Sequence, residues 1–389
     1  MEPTKNNHAP AGKRDRFLRL QSLLQQDPEN KHLARDLVDA ALRAGEFEFV
    51  AERATGLLNA NPADPQGLFD LASARIGQRD YRAAIEPLRR VLEQLPGLAA
   101  ARLNLGLSHY CLGEFADALV PLDEAYAAGE RSASVLRLLV STYHHLGRID
   151  EALALCEANP APHGADAGLA GAYALVYLDA DEAEPAGVWA ERALAQNPDS
   201  IDGLVVAGTL DILDMQAPRA RARFERALEI ASTTARAWIG LGTLDLLAND
   251  LSNALSNLKR GVQLMPGHVG SWQVLAWAQM MSQDLDGAEA SLQRALEIDH
   301  NFAETHGGLA SIAALRGRSE EAERGIEVAL RLDENCLSAQ FARSVLIGST
   351  GKPSEARHLI RRTATGFSSR KAGVLARVIE RINRDSGAA

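Results

Sequence analysis

A period of 34 residues runs through most of this 389-residue chain and limits its fold more than any other feature. The tetrapeptide Gly-Thr-Leu-Asp at residues 208–211 returns 34 residues later, at residues 242–245. Ten units follow one another without an insertion, and they begin at Lys31, Pro65, Ala99, Ala133, Ala167, Ile201, Ala235, Val269, Ala303 and Leu337. A fixed period of this length is typical of repeat arrays, in which units adjacent along the chain are also adjacent in space.

Small residues occupy two positions of the unit, which we number from 1 at the first residue of each unit. Position 20 is alanine in the second to tenth units and Val50 in the first, and position 8 is Ala, Gly or Ser in eight of the ten. A small side chain lets two helix backbones approach closely, whereas a larger one costs about 1–3 kcal/mol. The pattern therefore predicts two packed helices per unit, helix A at positions 1–14 and helix B at positions 17–30.

Turn residues mark the ends of both helices. Position 15 is glycine in several units, as at Gly45 and Gly113, and glycine readily takes the left-handed conformation that ends a helix. Position 16 is often aspartate, as at Asp80 and Asp250, and this side chain can accept hydrogen bonds from the first N–H groups of helix B. Proline at position 32, as at Pro62, ends helix B because it cannot continue a helix. Each unit is thus predicted to be a helical hairpin.

These positions resemble the tetratricopeptide repeat (TPR), whose signature has large residues at positions 4, 7 and 24, small residues at 8, 20 and 27, and proline at 32. The seventh unit carries the signature residues Trp238, Leu241, Gly242, Ala254, Leu258 and Pro266. The resemblance covers residues 31–370. It implies an all-α fold, a right-handed α-solenoid of about ten helix-turn-helix units with terminal capping helices, in which helices A line an inner groove.

The repeat array predicts the organisation of the whole chain. We expect residues 1–14 to be disordered, residues 15–30 to form an N-terminal capping helix, residues 31–370 to form the ten units, and residues 371–389 to form a C-terminal capping helix and tail. Capping helices are expected because the terminal units of an array would otherwise expose apolar faces.

The fourth unit departs from the pattern near its end. Pro160 and Pro162 stand where helix B should finish, and proline removes a backbone donor and clashes with the preceding turn. Helix B is therefore expected to stop near Ala158 and to leave a looser junction at residues 159–167. A variant loop with no mechanical consequence explains the same residues, and both interpretations stay open.

Composition favours a folded cytoplasmic protein. Hydrophobic residues make up 46% and charged residues 24% of the chain, and no run of about 18 apolar residues could span a membrane. The first residues include no apolar segment of the kind that a secretory signal needs. The three cysteines show no disulfide or metal framework, which fits a reducing compartment.

An apolar stripe on helices A of the sixth to ninth units is the candidate partner-binding groove. The resembled family lines its groove with positions 2, 5, 9, 12 and 13. In these units ten apolar residues stand at such positions: Val205, Ile212, Leu213, Ile239, Leu246, Leu247, Trp277, Met280, Met281 and Leu315. A large exposed apolar patch usually marks a binding site. Burial of the stripe by neighbouring helices is the alternative, and the sequence leaves both open.

Position 11, an aromatic residue in the resembled family, holds Asp211 and Asp245 in neighbouring units. Adjacent helices lie about 8–10 Å apart, which is too far for two carboxylates to share a proton or a metal ion. Each is expected to bond a nearby arginine or helix end, and a polar contact to a ligand in the groove is the alternative. No metal site is expected, because the spacing of Cys111 and His145, which share position 13, matches no metal signature. No catalytic residue or cofactor is expected either, because the sequence carries no enzyme motif.

Enzyme motifs are missing from the sequence. It contains no Gly-x-Ser-x-Gly, His-Glu-x-x-His or phosphate-binding loop. We therefore predict a non-catalytic protein-protein interaction scaffold or adaptor that holds a partner segment in the groove. Chaperone-like shielding of an apolar client segment during assembly or secretion is the alternative. The expected partner is a protein or peptide with an apolar segment.

The C-terminal end is basic in an otherwise acidic chain. Residues 352–389 contain nine Lys or Arg and three Asp or Glu, which gives them a net charge of +6. The net charge of the whole chain is −10, so residues 1–351 carry a net charge of −16. Nucleic acid is not the expected partner, because Phe367 is the one aromatic residue there that could stack on a base. Self-association, between this tail and the acidic body of another copy, is left open.

Overall fold

The computed structural model describes residues 11–160 and 166–350, together with residues 352, 354–356, 358 and 359. The regular secondary structure within these residues consists of helices alone, so the all-α fold class is confirmed. Residues 1–10 of the segment 1–14 that was predicted to be disordered lie outside the described residues, as do the helix and tail predicted at residues 371–389. None of the described helices is long and apolar enough to cross a membrane.

The described helices follow one another along the chain. They are α1 (Ala11–Gln26), α2 (Lys31–Ala44), α3 (Phe47–Ala60), α4 (Pro65–Gly77), α5 (Tyr81–Gln94), α6 (Ala99–Cys111), α7 (Phe115–Ala127), α8 (Ala133–His145), α9 (Ile149–Ala158), α10 (Ala167–Asp179), α11 (Ala183–Gln196), α12 (Ile201–Leu213), α13 (Ala217–Ile230), α14 (Ala235–Ala248), α15 (Leu251–Leu264), α16 (Val269–Met281), α17 (Leu285–Ile298), α18 (Ala303–Leu315), α19 (Ser319–Leu332) and α20 (Leu337–Ser349).

The starts of these helices confirm the 34-residue period. Each even-numbered helix from α2 to α20 begins at the first residue of a predicted unit, and each odd-numbered helix from α3 to α19 begins at position 17. Helix α9 ends at Ala158, as the prolines after it predict. Helix α1 begins at Ala11, so residues 11–14 are helical.

Small residues at positions 8 and 20 hold the two helices of a hairpin close together. A Cβ atom on Gly242 would lie 2.6 Å from Cγ of Leu258, and one on Gly208 would lie 2.8 Å from the ring of Phe224. The position-20 alanines of the second to ninth units have no exposed surface. A larger side chain at either position would push helix B away from helix A.

Position 15 adopts the left-handed conformation in all nine units in which it is described. Glycine occupies it at Gly45, Gly113, Gly147 and Gly317, but Arg79, Asp181, Met215, Asn249 and Gln283 take the same positive φ. The sequence analysis recognised this turn where the residue is glycine. The next residue caps helix B as predicted, since Asp80 accepts from the N–H of Ala83 and Asp250 from that of Asn253, both at 3.2 Å.

The chain divides into two compact parts, which we call the N-terminal body (residues 1–180) and the C-terminal body (residues 181–389). Hairpins adjacent along the chain share apolar cores within each body. Phe17 of α1 packs with Leu37 and Val50 in the N-terminal body, and Leu258 packs with Trp277 in the C-terminal body. The looser junction predicted at residues 159–167 includes residues 161–165, which lie outside the described residues.

Candidate partner-binding face

Asp211 is almost fully buried, with 3% of its surface exposed, and two arginines of the following helix, α13, bind its carboxylate. Arg219 Nη2 lies 2.8 Å from Oδ1, and Arg223 Nη1 lies 3.0 Å from Oδ2 in an ion pair that lacks hydrogen-bond geometry. Arg223 also pairs with Glu191 of α11 at 3.1 Å. The carboxylate therefore has the arginine partners that its sequence position suggested.

Asp245 occupies the same position in the next unit and is equally buried. Arg221 Nη2 donates a hydrogen bond to its Oδ1 at 2.6 Å, and Asn257 Nδ2 donates one to its Oδ2 at 2.8 Å. Arg221 belongs to α13 and Asn257 to α15, so one carboxylate links two consecutive hairpins. Packing thus explains the repeated Gly-Thr-Leu-Asp, because both aspartates bond helix B residues from buried positions.

Three successive hairpins repeat one polar contact between their two helices. In each, the residue at position 11 of helix A meets the residue at position 23 of helix B. The pairs are Asp211 with Arg223 at 3.0 Å, Asp245 with Asn257 at 2.8 Å, and Gln279 with Ser291 at 2.7 Å. This polar contact stabilises each hairpin where the resembled family has an aromatic residue.

Five residues of the predicted apolar stripe are buried, namely Val205, Ile212, Leu246, Trp277 and Met280. The ring of Trp277 shows the cause, since it meets the ring of Phe341 in α20 edge to face with centroids 5.3 Å apart. Neighbouring helices cover these residues, as the alternative interpretation of the stripe expected. They stabilise the stacking of hairpins and offer little surface to a ligand.

Position 13 remains accessible on four consecutive helices A. Leu213, Leu247 and Met281 are partly exposed, and Leu315 is 40% exposed. We call these four residues the position-13 row. Ile239, at position 5, is partly exposed as well. The row is therefore the continuous part of the predicted stripe that keeps exposed surface, and Leu247 and Met281 also pack in part against the core.

Met215 lies beside the row, and the sequence analysis missed it. It stands at position 15 with a φ of 63° and is 59% exposed. A methionine at a turn position that favours glycine places a flexible apolar side chain two residues after Leu213. The available signal was the presence of an apolar residue at a position where the backbone conformation favours glycine.

Acidic residues outnumber basic ones at the turns that carry the row. Residues 213–219, 247–253, 281–287 and 315–321 contain three arginines and six acids, and the acids are Asp214, Asp250, Asp284, Asp286, Glu320 and Glu321. Each arginine already has an acidic partner: Arg219 pairs with Asp211, Arg316 with Asp286, and Arg318 with Glu321. The surroundings of the row are therefore acidic, and Asp286 is 97% exposed.

One cluster in the N-terminal body has atoms of the kind that bind metal ions. Single ligand atoms of His109, Glu114 and Asp117 all lie within 4.8 Å of one another. His109 Nδ1 is 2.7 Å from Glu114 Oε2, and Arg82 Nη2 is 2.6 Å from Glu114 Oε1. These two hydrogen bonds lower the pKa of Glu114, the one with His109 having the larger effect. Glu114 is thus bonded by both His109 and Arg82.

Cys111 and His145 share position 13 in the N-terminal body but belong to no such three-residue group among the described residues. The His145 ring stacks on Phe115 with centroids 4.3 Å apart. Cys111 is exposed, and its hydrogen bond with Tyr81 raises the pKa of the tyrosine. His145 thus contacts Phe115, and Cys111 contacts Tyr81.

Comparisons with known proteins point to one repeat family. Models of the tetratricopeptide repeat match residues 69–133 and 245–312. One similar solved structure is that of YrrB, described as a TPR protein with an unusual peptide-binding site. It is 16% identical over 51% of this chain and 98% of its own, with a TM-score of 0.35. Another is MamA, 17% identical over 41% of this chain and 92% of its own, with a TM-score of 0.33. No curated protein sequence matches the chain.

Proposed function

The chain is a tetratricopeptide-repeat protein, and on that premise we propose that it is a non-catalytic scaffold or adaptor that holds a partner segment on the position-13 row. The family is typically non-catalytic, and its fold is in general an interaction scaffold. The observation that carries the proposal is the row itself. Four consecutive helices A keep an apolar side chain partly accessible at one position, whereas five of the other six residues of the stripe are buried.

The exposed area of the row limits the affinity that it supplies. Burying the remaining surface of one leucine or methionine contributes at most about 2 kcal/mol, at about 25 cal/mol per Å². Association itself costs about 4–15 kcal/mol. A partner therefore needs more than the four apolar contacts, and the acidic turns beside the row are the nearest groups that could supply them.

The shape of the apolar surface favours one partner segment over many clients. Shielding of varied apolar clients, the chaperone alternative, calls for a broad exposed patch, whereas the accessible residues here form a narrow row. The number of proteins captured separates the two functions.

We place the protein in the cytoplasm, because the free thiols of Cys111, Cys156 and Cys336 suit a reducing compartment.

Crosslinking mass spectrometry in native lysate tests the proposal. The full chain should capture a partner whose crosslinks fall near the row. Leu315→Asp, and separately the pair Leu247→Asp and Met281→Asp, should remove that partner because a charge at the row must be desolvated on binding.

A matched control is Val328→Asp on α19, which changes a side chain of similar exposure away from the row. It should capture the partner as the unmodified chain does. Circular dichroism and thermal unfolding establish that every variant remains folded, and Leu315→Asp is the safer variant because Leu315 is the most exposed of the four. Undiminished capture by both row variants would refute the proposed function.

A further inference from the structure

The spacing of the position-13 row suits a helical ligand. The row lies on α12, α14, α16 and α18, each of which packs against the next in this series. Packed helices lie about 8–10 Å apart, so the row offers one apolar side chain about every 10 Å along the C-terminal body. A helix rises 1.5 Å per residue, and residues seven apart on one face are therefore about 10.5 Å apart. An extended strand repeats its side chains on one face about every 6.6 Å, which does not match the row.

The charge of the turns selects a basic ligand. Asp250 and Asp284 cap helices α15 and α17 at the ends of the turns that follow Leu247 and Met281. Glu320 is exposed one residue after the start of α19. The arginines of these turns are bound to acids of the chain itself. Basic side chains of a ligand would be attracted to these acids, whereas acidic side chains would be repelled.

We propose that the position-13 row binds a basic amphipathic α-helix whose apolar residues recur every seventh residue. The inference rests on the proposed function and adds to it the chemical class of the partner segment. A helix of about 22 residues places four such side chains along its length, one against each of the hairpins that carry Leu213, Leu247, Met281 and Leu315. Met215 and Met281 can adapt to the side chains that they meet, because methionine is flexible.

Synthetic peptides of about 22 residues test the inference by fluorescence anisotropy with the full chain. The probe has leucine at every seventh position and lysine beside each leucine, on an alanine-rich helix. One matched peptide replaces every lysine with glutamate, and a second keeps the composition but spaces the leucines every fifth residue. The lysine peptide should bind at least about tenfold more tightly than either, and its affinity should fall as salt rises from about 50 to about 300 mM.

A variant of the chain tests the acidic turns directly. The triple change Asp250→Asn, Asp284→Asn and Glu320→Gln removes three charges while asparagine still caps α15 and α17. It should weaken the lysine peptide about tenfold and leave thermal unfolding nearly unchanged.

Three results would overturn the inference: equal binding of the lysine and glutamate peptides, indifference to leucine spacing, or no binding of any peptide because another segment already covers the row. These results leave the proposed function standing if Leu315→Asp still loses the partner from lysate. Retention of that partner by the row variants, in contrast, refutes the proposed function itself.

Discussion

Glu304 Oε1 in α18 accepts a 2.7 Å hydrogen bond from the backbone N–H of Leu337, the first residue of α20. Its Oε2 accepts another from the N–H of Ser338 at 3.0 Å. Cys336, the residue that precedes α20, gives the helix no side-chain cap. A carboxylate of one hairpin thus caps the first helix of the next and adds a negative charge at the positive end of its dipole.

Glu304→Ala should loosen the start of α20 without unfolding the chain. Loss of a helix cap costs about 1 kcal/mol, and the amides of Leu337 and Ser338 should exchange with solvent several-fold faster in hydrogen-exchange mass spectrometry. Glu304→Gln should give an intermediate rate, because its one carbonyl oxygen can accept from one amide. The exposed Glu225→Ala serves as control. Unchanged exchange at α20 in Glu304→Ala would show that the cap contributes nothing.

Asp245→Ala should destabilise the C-terminal body by about 2 kcal/mol. The change leaves Arg221 and Asn257 without their acceptor. Arg221 is 42% exposed and can turn to water, so most of the loss comes from Asn257 and from the vacated space. Asp245→Asn should cost less because it keeps the volume and one acceptor. Urea unfolding measures both, and equal midpoints for Asp245→Ala and the unmodified chain would contradict a linking role.

The sequence predicts the helices better than it predicts the accessible surface. The period repeats in the same phase through ten units, so the helix starts found in one unit predict the helix starts in all of them. A local exception was also predictable, because the prolines after Ala158 indicate that α9 ends there. Burial at the groove depends instead on contacts between residues two units apart, such as Trp277 and Phe341. The period alone does not show which side chains fill the space between neighbouring helices A, and so it could not show which stripe residues are covered.

The partners of Asp211 and Asp245 illustrate a second limit. The residue type predicts an arginine partner, and α13 supplies arginines to both aspartates. The identity of each partner depends on side-chain geometry, because Arg221 bonds Asp245 of the next hairpin, whereas Arg223 pairs with Asp211 of its own hairpin and with Glu191 of the preceding one. Asn257 carries no charge to mark it in the sequence as a partner of Asp245.

Arg79→Gly should stabilise the N-terminal body slightly. Arg79 has a φ of 62°, and a left-handed conformation costs about 1–2 kcal/mol for a residue other than glycine. Glycine relieves this strain but adds conformational freedom to the unfolded chain, at about 0.4–1 kcal/mol. The expected net gain is between about 0 and about 1.6 kcal/mol, seen as a small rise of Tm. Arg79→Ala is the control, since it removes the same side chain and keeps the strain. A lower Tm for Arg79→Gly than for Arg79→Ala would contradict the argument.

Asp70 should make the stability of the N-terminal body fall between about pH 4 and about pH 7. The residue is 5% exposed, and its Oδ1 accepts a 2.7 Å hydrogen bond from Gln66 Nε2. Burial raises its pKa to about 6, the charges of Asp39 and Asp64 add to this rise, and Gln66 and Arg53 oppose it. Asp70 stands at position 6 of its unit. In the seventh unit this position is Gly240, which packs against the ring of Phe224, so the Asp70 carboxylate occupies a position that contacts an apolar side chain in another unit.

The sign of the effect follows from the direction of the shift. An acid whose pKa is higher in the folded than in the unfolded chain stabilises the fold below its unfolded pKa, about 3.9, and loses that contribution as the pH rises through about 6. A shift of about two pKa units corresponds to at most about 3 kcal/mol. Asp70→Asn should therefore be more stable than the unmodified chain at pH 7 and similar to it near pH 4. Urea unfolding at both pH values measures the difference, with the exposed Glu48→Gln as control. A difference that does not change with pH would mean that Asp70 is not protonated more readily in the folded chain.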